Sequence, residues 1–403
     1  MLPPATAAWN RVEQVAREVF AAYNCHEIRT PVLEETQLFA RGVGQETDIV
    51  TKEMYTFDDR DGTSLTLRPE NTASVMRAWI EHRLDQRPGV QKFYYMGPMF
   101  RRERPQKGRY RQFYQIGVEA IGSESPVVDA EIIEMVVELL ARAGLTGFEL
   151  LINSVGCQTC RPAYVETLRE ALRPLASQLT PDNQRRAETN PLRVLDSKAP
   201  EDEGVIEKLP SILDHLCDTC RAHFDAVRRY LNDREIAFTV KPRLVRGLDY
   251  YMRTTFEVVH GNLGAQNSVL GGGRYDGLAE SLGSKVASPG IGFSIGEDRL
   301  VMAVEEQQQP VGVDVFIAAL GEQAVSHAGV LARDLRRNGF SVEVAADAKL
   351  KRALDLANKT NARRTLIIGD DEINAGEYSL KDMVSGAQER VTRAALLKQL
   401  GQA

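Results

Sequence analysis

Long hydrophobic runs are absent from this 403-residue sequence. No apolar stretch approaches the roughly 18 residues that a membrane-spanning helix needs, so neither a membrane span nor a membrane partner is predicted. A basic stretch followed by an apolar core, the pattern of an export signal, is also missing near Met1. A cytoplasmic location is therefore expected.

An excess of basic residues is absent too, because 50 Lys and Arg face 56 Asp and Glu, for a net charge of −6. This balance argues against a protein coated with phosphate-binding cations, but it leaves room for a local basic patch. The content of 43% hydrophobic and 26% charged residues is typical of a folded protein. The length predicts two or three domains.

Cysteine and histidine are scarce, with five and six residues respectively. The histidines show no spacing typical of metal ligands, and none is assigned to catalysis. Four cysteines form two C-x-x-C pairs, Cys157 with Cys160 and Cys217 with Cys220. Such pairs predict a structural zinc site. One alternative is that the thiols stay reduced and unpaired. The other is disulfides, and a reducing compartment disfavours disulfides. Cys25 is most simply a small buried residue.

Apolar periodicity in the first 154 residues predicts alternating helices and strands. Predicted helices cover 7–23, 70–84 and 125–143, and predicted strands cover 28–33, 51–57, 63–68, 92–97 and 110–119. The last two strands form a hairpin with a strongly basic connection. Residues 155–235 are instead polar, rich in proline and helical in pattern, which indicates an insertion.

The C-terminal part of the chain alternates strands and helices. Strand patterns return at 238–240 and 254–259, followed by predicted glycine-rich turns at 271–273, a strand–helix unit at 290–305 and a linker at 307–310. Further strands at 313–319, 341–345 and 364–369 alternate with helices at 322–338 and 349–359. This last stretch predicts a separate α/β domain of about 90 residues.

The strongest motif is GPMFRRERPQKGRYRQFYQIGVE at residues 97–119. It closely resembles motif 2 of the class II aminoacyl-tRNA synthetases in its histidyl form, and an ordinary basic hairpin is the alternative. Arg101 stands at a strand end, where a rigid guanidinium can clamp the α-phosphate of ATP and the carboxylate that ATP activates. Arg109 is expected to meet the outer phosphates. Phe113 is expected to stack on adenine, and Glu103 to accept a hydrogen bond from its amino group.

Two segments supply further candidates for binding histidine. Gln115 and Glu119 lie four residues apart on a predicted strand, so both point to the same sheet face and offer acceptors to an imidazole and an ammonium group. The segment LRPENT at 67–72 resembles the family's amino-acid-binding turn, in which Glu70 and Thr72 hold the α-amino group. Asn71, between them, stands where the family more often has glycine. A carboxylate here offsets the ammonium charge that the pocket must desolvate.

The segment LVRGLDYY at 244–251 matches the histidine-specific signature of the family and is the most discriminating motif in the chain. The resemblance implies that Arg246 is the catalytic cation, which stabilises charge on the α-phosphate as the histidine carboxylate attacks. With Arg101 it also counts among the expected histidine-binding residues. Tyr250 and Tyr251 are expected to frame the imidazole pocket. Without the family, these residues fit a packed turn equally well.

Three other segments extend the resemblance. GGGRYDGL at 271–278 matches the second histidyl signature, and its glycines permit close approach of the backbone to a ligand. GIGFSIGEDRL at 290–300 is similar to class II motif 3, which implies that Arg299 meets the γ-phosphate of ATP, with Asp298 where the family usually has Glu. The helix at 7–23 with IRTPVLE at 28–34 corresponds to motif 1, which builds a homodimer interface in the family.

The resemblance covers essentially the whole chain and implies an α+β fold. An antiparallel class II sheet flanked by helices is expected at 1–154 and 236–308. A mostly helical insertion domain at 155–235 interrupts it, and a C-terminal α/β anticodon-binding domain follows at 311–403. The implied activity joins histidine to tRNA(His) with ATP, while Mg²⁺ shields the phosphates.

Two other functions remain as alternatives. One is a non-aminoacylating regulatory subunit of ATP phosphoribosyltransferase; such relatives typically lack the anticodon domain and lose the catalytic arginines. The other is a module that binds or senses tRNA without catalysis, which needs no arginines for adenylate formation. The chain keeps four such arginines, which counts against both alternatives: Arg101, Arg109, Arg246 and Arg299.

Overall fold

The computed structural model describes residues 1–3, 5–45, 47–106, 108–197, 199–261, 267–304, 312–345 and 349–400. The chain divides into two compact units. The larger is Ala8–Gln307, and the smaller combines Gln308–Ala403 with Met1–Ala7. The linker predicted at 307–310 lies outside the described residues.

The larger unit is built from helices and strands in nearly equal number. Its helices are α1 (Ala5–Ala22, which starts in the smaller unit), α2 (Thr36–Gly42), α3 (Thr72–Glu81), α4 (Pro126–Ala143), α5 (Arg161–Leu172), α6 (Pro181–Thr189), α7 (Pro200–Ile206), α8 (Asp218–Asp233), α9 (Leu278–Ser281) and α10 (Glu297–Val304). Its strands are β1 (His26–Glu27), β2 (Leu33–Glu35), β3 (Tyr55–Asp58), β4 (Ser64–Leu67), β5 (Gln91–Phe100), β6 (Gln112–Ile121), β7 (Phe148–Ser154), β8 (Thr239–Val240), β9 (Met252–His260), β10 (Ser268–Arg274) and β11 (Gly290–Gly296).

An eight-stranded sheet forms the centre of this unit, in the order β1-β5-β6-β11-β10-β9-β7-β8. Its long strands are antiparallel, and only the short edge strands β1 and β8 pair in parallel. Side chains alternate between the two faces, as a strand requires. Tyr94 and Met96 join a core with α1, α4 and α8, whereas Phe93 and Tyr95 join a core with α3 and α9. The predicted antiparallel sheet flanked by helices is confirmed.

The segment predicted as an insertion is mostly helical and has a small core of its own around Tyr164, Leu168 and Val194. Its last helix, α8, differs from the rest. Phe224 and Val227 of α8 are buried in the core of the main sheet. The insertion is therefore anchored to the sheet through α8.

The strand predicted at 28–33 is wrong over most of its length. β1 ends at Glu27, and β2, which pairs with β4 in a separate three-stranded sheet, begins only at Leu33. Pro31 has no N–H to donate to a ladder. The Thr30 carbonyl is taken by the buried guanidinium of Arg68, with an Nη1–O distance of 3.0 Å. The chain therefore crosses between two sheets here.

Two other local predictions are corrected. The strand predicted at 51–57 begins only at Tyr55, because residues 49–53 form a π-helical turn. The glycines predicted to form turns at 271–273 lie within β10 instead. A Cβ atom on Gly271 would stand 1.8 Å from Nη2 of Arg246, so only glycine leaves room for the arginine at this position.

The smaller unit is a three-layer α/β arrangement. Its sheet has the order β13-β12-β14-β15-β16, with the first three strands parallel and the last two antiparallel. Its strands are β12 (Val315–Ala319), β13 (Val342–Ala345), β14 (Arg364–Ile368), β15 (Glu377–Asp382) and β16 (Gln388–Thr392), and its helices are α11 (Glu322–Arg337), α12 (Leu350–Lys359), α13 (Asp370–Ala375) and α14 (Arg393–Leu400). The predicted α/β class is confirmed, although the β15–β16 hairpin was not predicted. Among the described helices of the chain, none has the length and apolarity to cross a membrane.

Candidate active site

A cavity of about 360 Å³ lies in the larger unit, where four of the sequence motifs meet. Its walls include the β5–β6 connection, β6, the segment before β9, strands β9, β10 and β11, and the start of α10. The predicted site residues that line it are Arg101, Glu103, Arg109, Phe113, Gln115, Arg246, Tyr251 and Arg299. The fold thus brings all of the predicted ATP-binding and catalytic residues to one place.

Arg101 follows directly after β5 and is fixed by its neighbours. Its Nε donates to the Pro69 carbonyl at 2.9 Å, and its guanidinium lies 5.2 Å from the centre of the Phe113 ring. Across the loop, Arg109 Nη1 lies 2.8 Å from Oε2 of Glu103. The hairpin therefore presents two arginines, an aromatic face and a carboxylate on one wall.

Arg246 is paired with a carboxylate that the sequence analysis did not single out. Its Nη1 lies 2.8 Å from Oε1 of Glu257, in the middle of β9. Burial disfavours the charged guanidinium, but Glu257, Tyr251 and Asp196 together outweigh this effect and raise the pKa of Arg246 above its ordinary value. A signal was available, since Glu257 is the one charged residue in the apolar strand pattern of 254–259.

Arg299 joins two walls of the cavity. Its Nε donates to the Gly108 carbonyl at 3.0 Å, and its Nη1 donates to the Ser268 carbonyl at 2.8 Å. The neighbouring Asp298 accepts a hydrogen bond from the Tyr114 backbone N–H at 2.9 Å, which attaches the start of α10 to β6. The shorter Asp side chain at this position thus reaches the adjacent strand.

A buried acidic cluster adjoins the cavity. Tyr250 and Tyr251, whose ring centres lie 4.7 Å apart, connect the two. Glu119 accepts hydrogen bonds from the hydroxyls of Thr72 at 2.7 Å and Tyr275 at 2.6 Å. Burial raises the pKa of Glu119 to about 8, because the charged form loses its hydration. Tyr275 was not predicted as a site residue, although it stands within the second signature.

Glu70 is the second carboxylate of this cluster. It accepts from the backbone N–H groups of Thr72 at 2.8 Å and Ala73 at 2.9 Å, at the start of α3. The Tyr250 hydroxyl lies 3.4 Å from its Oε2. Burial raises the pKa of Glu70, while these N–H groups and Arg101 oppose the shift. The site therefore holds two desolvated carboxylates, Glu119 bound by hydroxyl groups and Glu70 mainly by backbone N–H groups.

Two predicted histidine-binding residues differ in their placement. Gln115 lines the cavity, and its buried Oε1 has no hydrogen-bond partner among the described residues. Asn71 does not line the cavity. Its Oδ1 accepts from Oγ1 of Thr30 at 2.6 Å, next to Arg68 at 3.4 Å. Gln115 thus offers an acceptor to a ligand, whereas Asn71 helps to hold the turn.

The four insertion cysteines form a separate cluster. Their Sγ atoms all lie within 4.8 Å of one another, and neighbouring pairs are 3.8 or 3.9 Å apart. None of them forms a disulfide. Tetrahedral zinc with Zn–S bonds of about 2.3 Å separates its sulfurs by about 3.8 Å, so the donor set fits this metal.

Comparison with known proteins supports the assignment. A family model described as histidyl-tRNA synthetase matches residues 1–300, and one described as anticodon binding domain matches residues 314–402. The chain is 72% identical to a histidine–tRNA ligase of Solibacter usitatus (strain Ellin6076), over 98% of this chain and 95% of that protein. It is 55% identical to one of Koribacter versatilis (strain Ellin345), over 98% and 93%.

A solved structure agrees with these sequence matches. The apo histidyl-tRNA synthetase of S. aureus superimposes with a TM-score of 0.79 at 38% identity, covering 99% of this chain and 97% of that one. The family expected from the motifs is thus confirmed: the chain belongs to the histidyl-tRNA synthetases.

Proposed function

We propose that the protein is a histidine–tRNA ligase, which activates histidine with ATP and transfers it to the 3′ end of tRNA(His). One observation carries the proposal. Arg101, Arg246 and Arg299 line a single cavity, and a buried pair of carboxylates adjoins it. The cations are suited to bind a nucleoside triphosphate, and the carboxylates are suited to bind an ammonium group or an imidazole.

The first step forms histidyl-adenylate. A carboxylate oxygen of histidine attacks the α-phosphorus, and the bond to the bridging oxygen breaks to release pyrophosphate. Arg101 and Arg246 neutralise the charge that develops on the α-phosphate, and Arg299 and Arg109 receive the outer phosphates. Phe113 stacks on adenine, and Glu103 accepts from its amino group.

Histidine is held by the acidic cluster. Glu70 and Thr72 receive the α-amino group, while Gln115 and Glu119 accept from the imidazole, framed by Tyr250 and Tyr251. In the second step the terminal hydroxyl of the tRNA attacks the carbonyl carbon of the adenylate, and AMP leaves. Catalysis rests on positioning and charge, with no protein nucleophile.

ATP is expected to arrive with Mg²⁺. The carboxylate of Asp298 lines the cavity beside Arg299. Carboxylate oxygen is a ligand that Mg²⁺ prefers, so the donor set fits the ion. When bound, Mg²⁺ shields the phosphates and the pyrophosphate leaving group.

We also propose that Cys157, Cys160, Cys217 and Cys220 hold one structural zinc ion, which the spacing of their sulfurs supports. Metal analysis of the purified protein should find about one zinc per chain. Cys217→Ser should lower this content, while Cys25→Ser, outside the cluster, should leave it unchanged. Metal-free protein of full stability would remove the proposal.

A cytoplasmic homodimer completes the proposal. The apolar side chains of Val32 and Leu33, in motif 1, and of Phe57, in β3, are 37–46% exposed around the three-stranded sheet. Such a surface is suited to a protein interface. Light scattering of the purified protein should give twice the mass of the chain, and a monomer at micromolar concentration would contradict the dimer.

The decisive experiment is ATP–pyrophosphate exchange with each of the twenty amino acids. Exchange with histidine alone, followed by charging of tRNA(His), is the expected result. Exchange with no amino acid would favour the regulatory alternative instead.

A further inference from the structure

Arg161 connects the cysteine cluster to the candidate histidine pocket. It follows directly after Cys160 and is the first residue of α5. Its Nε donates to the Val155 carbonyl at 3.0 Å. Its Nη2 donates to the carbonyls of Gly156, at 3.4 Å, and of Tyr251. One guanidinium thus bridges the cysteine turn and a residue that lines the cavity.

The backbone makes the same connection. The Val155 N–H donates to the Arg253 carbonyl at 2.8 Å, and the Arg253 N–H donates to the Gly156 carbonyl at 2.7 Å. Arg253 lies two residues after Tyr251. The turn that begins at Gly156 and the segment 251–253 therefore form one hydrogen-bonded unit.

Position in the chain links the two sites as well. Arg161 follows Cys160 directly, so loss of order at the cysteine cluster would weaken what holds Arg161 in place. The Tyr251 carbonyl would then lose a charge-assisted donor.

We propose that Arg161 is a positioning residue through which the metal at the cysteine cluster sets the affinity of the pocket for histidine. Metal binding fixes the turn 156–161, Arg161 holds the backbone of Tyr251, and Tyr251 holds the ligand. The inference rests on the proposed function, which assigns zinc to the cysteines and Tyr251 to the imidazole. It goes beyond that function by making the metal a determinant of substrate affinity rather than of folding alone.

The test compares the full-length protein with zinc, after zinc removal by a chelator, and after zinc is restored, with metal content measured each time. Histidine and ATP binding are titrated separately by calorimetry. Zinc removal should weaken histidine binding about tenfold or more, as when a residue that orients a binding group is lost. It should change ATP binding less than about twofold. Restored zinc should restore the affinity.

Two variants separate positioning from general stability. Arg161→Met should still bind zinc, but its weakened histidine affinity should no longer respond to zinc, and Arg161→Lys should recover part of the affinity. Arg169→Met, on the same helix, is the matched control and should behave like the unaltered protein. If Arg161→Met does not fold, the zinc titration of the unaltered protein decides.

Three outcomes would overturn the inference: a protein that binds no zinc, a histidine affinity that ignores zinc, or equal loss of histidine and ATP binding. Histidine-dependent pyrophosphate exchange by the zinc-loaded protein separates these failures from failure of the proposed function. Exchange together with zinc-independent histidine binding would defeat this inference alone. Absence of exchange would defeat the proposed function.

Discussion

Replacing Arg246 by alanine tests the proposed chemistry most directly. Its guanidinium lies against Glu257 at 2.8 Å, on the wall of the cavity where the α-phosphate is proposed to bind. Removal of one preorganised charge partner of a transition state costs about 2–4 kcal/mol, or roughly 30- to 1000-fold in rate. We expect a loss near the upper end, since the Glu257 side chain is only 10% exposed and its charge would then face the phosphates.

The unpaired charge of Glu257 can be tested with a second variant. In Arg246→Ala/Glu257→Gln the residual negative charge is gone, so the double variant should be faster than Arg246→Ala alone. In the parent background Glu257→Gln should slow the reaction, because Arg246 loses its partner. The coupling between the two positions should fall within about 0.5–3 kcal/mol, as for residues in direct contact.

The assay is histidine-dependent ATP–pyrophosphate exchange, with histidine affinity measured separately by calorimetry. Exchange should fall while histidine binding is largely kept. Arg228→Ala is the control, because that arginine is 47% exposed on α8, outside the cavity lining, and its ion pair is with the exposed Asp225. Normal exchange in Arg246→Ala would refute the role of Arg246. If histidine binding fell as much as exchange, Arg246 would act by binding histidine in the ground state and not by stabilising the transition state.

Phe113→Ala should raise the KM for ATP by about five- to a hundredfold, since stacking on a base contributes about 1–3 kcal/mol, and an unchanged KM would exclude Phe113 from the adenine site. Gly292→Ala would place a Cβ atom 1.9 Å from Oε2 of Glu119 and should sharply weaken histidine binding, whereas Gly204→Ala, with open space around it, is the control that should bind histidine normally. Burial raises the pKa of Glu297 from 4.5 to about 8, so the folded chain keeps this proton to higher pH than the unfolded chain. The tighter proton binding by the folded chain contributes fully to the unfolding free energy below pH 4.5, and this contribution is lost as the pH rises through 8. Urea unfolding should therefore show that Glu297→Gln reduces the decline in unfolding free energy between pH 5 and 8.5 by at least about 2 kcal/mol, and equal declines would contradict a protonated Glu297.

Sequence patterns predicted the β5–β6 hairpin and most of the cavity wall, because these features are local. Arg101 and Phe113 belong to one continuous motif, and apolar alternation sets the register of the two strands. The same is true of α1 and α4, whose apolar periodicity spans several turns. Where one segment contains both the structural signal and the chemistry, the sequence was sufficient.

The features that the sequence did not predict depend on partners far along the chain. Gly271 has low strand propensity, yet it lies in β10 because it pairs with Glu257 of β9 and Ser294 of β11. Its missing side chain leaves the space that Arg246 occupies. The break at Pro31 depends on a guanidinium that arrives from Arg68. Exposed strands such as β16 have a weak apolar pattern, with Val391 as the one buried residue of five. In each case tertiary contacts override local propensity.

The acidic cluster shows why such contacts concentrate at the site. Glu119 can be buried because Thr72 and Tyr275, which lie 47 and 156 residues away in sequence, supply hydroxyl donors. These donors stabilise the carboxylate only in part, so burial still raises the pKa of Glu119 to about 8. A cation that enters the pocket supplies the missing charge, and the energy lost by desolvating Glu119 becomes affinity for that cation. Glu119 thus reduces the stability of the empty site and at the same time favours a cationic ligand, which local sequence rules, based on folding alone, do not anticipate.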